Sequence, residues 1–393
     1  MNILFVSRWF PWPVTNGSKV RVFNLLRGLA KEHKITLLSF ADCADANPQI
    51  PELQALCHAI HVVPWQSYDP ETLRAQLGFL QMTPRSVIDT FSPLMARRIK
   101  ELLTGEAIDL VIASQLDAAS YGPYFHGTPA LYEEVEIGAI YDRFAQARST
   151  VQRLRNGLTW FKHRHYLSRQ LRYFRACTVA SSRERELVAQ TVPTYSAVEV
   201  VPNCINTVEY QSTETVVPNT LIFTGSFGYQ ANYDAMCWFL EAVYPQVLTA
   251  IPDVQLTITG EHHNLPLPTM ANVTLTGFVD NIRPLVARSW LSLAPLQSGG
   301  GTRLKILEAM ALGTPVVATA KGAEGLNVVS GQELFVADTA EDFAAAIIQL
   351  CRNARLRHLL AANARQVVVD QYDWSTTMPR FLRLVETVAA ATQ

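Results

Sequence analysis

The chain has 393 residues, of which 49% are hydrophobic and 17% charged, and its net charge is -1. That suits about two domains at a rough 100–200 residues each; it is too apolar for general disorder and too nearly neutral for a general polyanion binder, so no nucleic-acid partner is expected. The charge is uneven, with 22 basic and 18 acidic residues through Ile205 against 11 and 16 beyond it, which points to two units with different partners.

The chain opens on a short apolar run with no basic residues before it, too short for a signal peptide. Further β-rich apolar runs follow: Ile3–Ser7, Ile35–Phe40, Ile60–Pro64, Ile108–Ser114, Ala130–Val135, Cys177–Ser181 and Val198–Pro202. Several are apolar on both faces, as strands of a covered parallel sheet must be. Helical patterns such as Ser18–Glu32 and Ser92–Leu103 lie between them, so the first 205 residues read as a doubly wound α/β domain. Residues 206–219 are polar and Thr-rich and read as a linker.

The alternation resumes with runs at Leu221–Gly225, Val254–Gly260, Val273–Phe278, Trp290–Leu296, Pro315–Ala320 and Leu334–Ala337. Helices are expected at Ala231–Ala250, Thr302–Leu312, Ala340–Cys351, Arg355–Val369 and Ser375–Ala391. This gives a second α/β domain over 220–374. No stretch of about 18 apolar residues occurs, so no membrane span is expected and the chain reads as cytoplasmic. The six cysteines, Cys43, Cys57, Cys177, Cys204, Cys237 and Cys351, have no paired or metal-type spacing and read as reduced thiols.

Open parallel sheets bind ligands beyond the carboxyl ends of their strands, so the loops after strands carry the functional argument. The loop after Ile3–Ser7 reaches Gly17, where backbone can approach a ligand closely, and Ser18, a candidate helix cap. An ordinary capped turn accounts for it equally well. The loop after Trp290–Leu296 runs through Gly299, Gly300, Gly301 and Thr302 into a helix bearing Arg303, Lys305 and Glu308. Glycine N–H groups at a helix start favour an anion, Arg303 and Lys305 add positive charge for a phosphate, and Glu308 can accept hydrogen bonds from a ribose diol. Every part suits one nucleoside diphosphate. The loop after Pro315–Ala320, with Gly322, Glu324 and Gly325, can line the same crevice.

These segments carry a resemblance. Gly299–Thr319, the run Gly322-Ala323-Glu324-Gly325 and the run Val201–Asn206 resemble retaining glycosyltransferases of family 4, which have the GT-B fold. Phe223–Ala235, with Gly225, Ser226 and Asn232, resembles a subgroup found among bacterial exopolysaccharide sugar transferases. The resemblance implies two Rossmann-like doubly wound domains facing a cleft, a last helix crossing back to the first domain, and transfer of a sugar from a nucleotide donor with retention and without a metal or other cofactor. It places the donor in the C-terminal domain and the acceptor, a glycan or lipid-linked precursor, in the N-terminal one. Glu308 then matches the second glutamate of the family's paired motif, which holds the ribose, while the first falls on Gly300. The basic pair usual after the first strand of that domain is also replaced, here by a loop starting at Ser226, and Arg303 with Lys305 are the evident substitutes. Gly300 keeps a second reading open, a catalytically silent protein that binds nucleotide or glycan as a scaffold.

Two further segments have alternatives. Strand alternation places Glu134 and Glu136 on one side of the run that ends Ala130–Val135, where either can orient an acceptor hydroxyl or simply be solvated. Residues 151–175 hold seven Lys or Arg and no acid. Lys162, His165, Arg169 and Arg172 follow helical spacing opposite an apolar stripe of Trp160, Leu167, Leu171 and Phe174. Such a helix meets either an anionic membrane surface or, with its apolar side in the core, only solvent.

Overall fold

Both halves of the chain are built on parallel sheets whose central strands are buried on both faces. The computed structural model describes residues 1–41, 46–147, 149–211, 214–299 and 303–390. It divides into two compact units, Met1–Asn203 joined by the chain from Met378 onward, and Cys204–Thr377.

In the first unit the strands are β1 (Asn2–Ser7), β2 (Lys34–Ala41), β3 (Ala59–Pro64), β4 (Leu110–Ser114), β5 (Ala130–Val135), β6 (Ala176–Val179) and β7 (Val198–Val200). They pair in the order β3-β2-β1-β4-β5-β6-β7, all in parallel. The chain winds outward from β1 to β3, then returns to β1's other side at β4. Residues that leave the ends of β1 and β4 therefore diverge and open a crevice between them.

The second unit repeats the plan with β8 (Val217–Thr224), β9 (Gln255–Thr259), β10 (Val273–Gly277), β11 (Ser289–Ala294), β12 (Val316–Ala318) and β13 (Phe335–Val336), ordered β10-β9-β8-β11-β12-β13. Its switch lies between β8 and β11. Alternation along β8 sends Leu221 and Phe223 into a cluster with Phe239 and Phe343, and Ile222 into one with Leu307 and Met310 on the other face. Helices on both faces satisfy the sheet's need for two apolar covers.

Three expectations change on the way. The stretch read as a linker from residue 206 is tied into the second unit: Ile205 bridges Asp373, and the Thr207 N–H donates to Asp373 Oδ2 at 2.8 Å. The helix expected over 231–250 is one α-helix (Gln230–Trp238), a π-helical turn (Phe239–Val243) and a second α-helix (Tyr244–Ala250), with Pro245 at the start of the last. Proline has no N–H to offer the preceding turn, so the ladder is rearranged there. The basic segment is a 21-residue helix, Thr150–Gln170, followed by a 3₁₀ turn, Leu171–Tyr173. Its residues Leu167, Leu171 and Phe174 enter the core and Trp160 packs edge-on against Tyr141, but Lys162 is buried rather than on an exposed basic face. Its Nζ donates to the carbonyl oxygens of Phe79 at 2.7 Å and Gly78 at 3.3 Å.

Candidate functional site

In the second unit, three segments converge beyond β8 and β11. β8 hands over to Gly225, whose φ of +149° suits glycine. A methyl group built there would lie 2.7 Å from Asn232 Nδ2 and 2.9 Å from Lys305 Nζ, so the missing side chain is what lets backbone, amide and ammonium meet. Asn232 donates from Nδ2 to the Ser226 carbonyl at 2.8 Å and accepts at Oδ1 from Lys305 Nζ at 2.9 Å. The same ammonium sits 4.1 Å over the Phe223 ring, a cation–π contact. The Ser226 hydroxyl accepts from the Gly228 N–H at 3.2 Å and lies 3.2 Å from His263 Nε2.

Lys305 and Glu308 stand on the helix Leu304–Ala311, which starts two residues later than expected and has Arg303 as its cap. Arg303 is buried and donates from Nη2 to the carbonyls of Gly299, at 3.0 Å, and Lys321, at 3.4 Å. It thus holds the start of the glycine loop to the loop after β12, where Lys321 pairs with Glu324 at 2.5 Å. Gly299 has φ +98°, and a methyl group there would reach 2.1 Å from Tyr229 Oη. Gly300, Gly301 and Thr302 lie outside the described residues.

Burial drives the electrostatics. Desolvation, aided by the Arg303 charge and opposed by Glu308, lowers the Lys305 pKa from 10.5 to about 7. Burial also raises the Glu308 carboxyl above its usual range, against the Tyr210 hydrogen bond and the Lys305 and Arg283 charges. Tyr210 donates its hydroxyl to Glu308 Oε1 at 2.8 Å, and Arg283 lies 4.7 Å over the Tyr210 ring. Such a set can bind an anion, since two basic side chains and a helix start lie together there.

The first unit has a second polar cluster at its own switch point. Glu134, next to last in β5, has φ +60°, and this left-handed residue breaks the alternation that would have paired it with Glu136. Glu136 is exposed, whereas Glu133 and Glu134 both turn inward to Arg21, at 2.6 and 3.7 Å from its Nε. Glu133 also accepts from the Ser114 hydroxyl at 2.7 Å, and burial raises its pKa against the pull of Arg21. Glu134 Oε2 accepts from Gln115 Nε2 at 2.8 Å. Gln115, the first residue after β4, is itself left-handed at φ +66°; it also donates to Ser18 Oγ at 3.1 Å and accepts from Trp9 Nε1 at 2.8 Å. Two left-handed non-glycine residues are thus joined by their side chains at the ends of neighbouring strands.

Ser18 is therefore a partner of Gln115. The cap of the helix Gly17–Leu29 is Asn16, which accepts from the Lys19 N–H at 3.0 Å, and Gly17 opens that helix's first turn. Sequence reasoning missed Gln115, Tyr210 and the bridging role of Asn232. Only Asn232 left a signal, as a poor helix former inside a helix. Among the described residues, no helix is long and apolar enough to cross a membrane. No cluster of three or more His, Cys, Asp or Glu suited to a metal occurs among them either.

Comparison with known proteins agrees with this layout. Residues 218–353 match the family model described as glycosyl transferases group 1. A phosphatidyl-myo-inositol mannosyltransferase of Mycobacterium leprae is 30% identical over 209 residues, 50% of this chain and 54% of that protein. An uncharacterized 44.6 kDa protein in the cps region of Klebsiella pneumoniae is 26% identical over 164 residues, 39% of this chain and 42% of that one. The chain thus spans about half the length of the curated relatives it matches. Among solved structures, Anabaena HepE in complex with UDP and glucose superposes with a TM-score of 0.68 at 14% identity, over 98% of this chain and all of that one. The chain is a GT-B-fold protein whose second unit matches the glycosyl transferases group 1 model.

Proposed function

We propose that this protein is a retaining glycosyltransferase of family 4 that moves a sugar from a nucleoside-diphosphate donor to an acceptor hydroxyl. The acceptor is a glycan or lipid-linked precursor of the cell envelope or of an exopolysaccharide, met at the inner membrane face to which the protein attaches peripherally. The observation that carries the reading is the convergence of Gly225, Lys305, Arg303 and Glu308 on one switch point inside the group 1 domain. HepE, which shares this fold, was solved with UDP and glucose, and that is in keeping with a nucleoside-diphosphate donor.

The chemistry follows from charge. As the glycosidic bond breaks, the diphosphate gains negative charge, and Lys305 with Arg303 stabilises it; fixed cations act strongly on developing charge in a dry site. Glu308 holds the ribose diol. These two cations neutralise the leaving group without a resident metal ion. The acceptor approaches on the face the diphosphate leaves, and the leaving phosphate takes the acceptor proton. Glu134, fixed by Gln115, orients the acceptor hydroxyl.

The test is donor hydrolysis without acceptor across a panel of nucleoside-diphosphate sugars, with the anomer of the first-formed product read by NMR. Release of nucleotide with a retained anomer is expected. No hydrolysis with any donor, alongside nucleotide binding, favours the scaffold reading that Gly300 keeps open; an inverted anomer excludes retention.

A further inference from the structure

The exposed side of the helix Thr150–Gln170 changes character along its length. At 3.6 residues per turn, steps of three and four stay on one face. Val151, Leu154, Leu158 and Phe161 follow those steps and are 76%, 71%, 52% and 55% exposed. The same steps continue through His165 and Arg169, and Arg172 follows in the 3₁₀ turn Leu171–Tyr173; all three are exposed. The six helical positions thus fall within about 80° of arc, apolar first and basic after. Arg155 is exposed on the edge of the apolar part.

A second apolar surface joins it midway. Lys162 holds the turn at Gly78 and Phe79 against this helix. That turn exposes Leu77 and Phe79, each 56%, and Leu80, 90%. No carboxylate lies between Asp142 and Glu184 in sequence, and among the described residues Arg155, Arg169 and Arg172 form no ion pair. Within a folded unit with a filled core, so much exposed Leu, Val and Phe needs an apolar partner. The neighbouring arginines need an anionic one.

We propose that this face docks on a bilayer containing anionic lipid: Val151 to Phe161 and the turn Leu77–Leu80 enter the boundary between headgroups and acyl chains, while Arg155, Arg169 and Arg172 rest on the headgroup phosphates. A bilayer is the occupant that offers both chemistries side by side, and an interfacial helix of this composition lies in the membrane plane. The proposal gives a surface to the peripheral attachment in the functional reading and rests on it for the choice of lipid alone, since the face is exposed whatever reaction the protein performs.

The experiment is co-sedimentation of the full chain with phosphatidylcholine vesicles, with and without phosphatidylglycerol, and with two triple variants. Glutamine keeps helix propensity, so both variants are expected to fold. Replacing Arg155, Arg169 and Arg172 by Gln should lower partitioning into the anionic vesicles by on the order of 100-fold. Replacing Leu154, Leu158 and Phe161 by Gln should lower it by on the order of 10-fold or more, and make what remains removable by salt. Wild type should bind neutral vesicles weakly. Donor hydrolysis, unchanged in both variants, reports folding and tests the transferase reading separately. Equal sedimentation of all three proteins, or none by wild type at low salt, overturns the proposal. So does a wild-type dimer in solution that the apolar triple variant converts to monomer without any vesicle binding, since a second copy is then the occupant.

Discussion

Lys305 Nζ lies 2.9 Å from Asn232 Oδ1, and Gly225 comes so close to both side chains that a methyl group there would be 2.9 Å from the ammonium. The ammonium is thereby aimed by one amide, shielded by one ring and kept beside a bare stretch of backbone. Gly225→Ala should disturb all of these together. At φ +149° and with that contact, the variant should lose about 1–3 kcal/mol of stability, and donor hydrolysis should fall with it. Chemical denaturation and hydrolysis rates check this, and an alanine variant with wild-type values for both would remove the close approach from the argument.

Lys305→Ala and Arg303→Ala should each lower donor hydrolysis by ~10²-fold or more, the scale of losing one fixed charge stabiliser. Glu308→Gln should act mainly on donor affinity. Its carboxylate faces Tyr210 and is the natural partner of a diol. Steady-state kinetics separate the cases, and turnover within twofold of wild type for both basic variants would exclude them as leaving-group stabilisers.

A proton balance follows from the lowered Lys305 pKa. Between about 7 and 10.5 the unfolded chain holds this proton and the folded one has lost it. Stability therefore rises with pH through that window on account of Lys305, and below about 7 the cost of keeping the charge is present in full. Wild type should gain stability relative to Lys305→Met from pH 7 to pH 10. A nucleoside diphosphate should also return the proton, so binding at pH 8 takes up protons in wild type and not in Lys305→Met. Calorimetry in buffers of different ionisation enthalpy measures this.

Gln115 offers an unusual control. Its backbone is left-handed, so glycine there removes the side chain while relaxing the main chain. Gln115→Gly should leave donor hydrolysis within about twofold, the relaxed backbone offsetting part of the three lost hydrogen bonds, yet lower transfer to acceptor by at least ~10-fold. Glu134→Gln should behave alike. Equal loss of hydrolysis and transfer would place the pair outside acceptor positioning.

Transfer should survive EDTA and gain nothing from Mg²⁺ or Mn²⁺, because Arg303 and Lys305 supply the positive charge. Activity that vanishes with chelator and returns with either ion would show that they do not suffice.

Strands were legible because runs such as Ile3–Val6 and Leu110–Ala113 are apolar at every position, which only a sheet covered on both faces tolerates. Arg303, Lys305 and Glu308 were legible because they sit within one short segment. What was not legible depends on distant partners or on backbone departures. Tyr210 reaches Glu308 from 98 residues away, out of a stretch whose composition reads as linker. Glu134 and Glu136 follow strand alternation only until the left-handed turn at Glu134, a torsion with no glycine to announce it. In the segment 151–175 the stripe of Leu167 and Leu171, whose core or membrane role the spacing left open, lies in the core, whereas Val151 to Phe161 belong to another face whose exposure only packing reveals.

The helix Trp374–Ala390 belongs to the second unit through Thr377 and to the first from Met378. Met378 fills the space that glycine leaves at Gly28, Arg175 donates to the Val388 carbonyl at 2.9 Å, and Phe381, Val385 and Val388 are buried. The first unit is therefore discontinuous in the gene. During synthesis its seven strands emerge before the cover for one of its surfaces has been translated. The intervening unit must leave the ribosome first, and an excised N-terminal unit ending at Asn203 would leave that surface bare unless the last helix were supplied in trans.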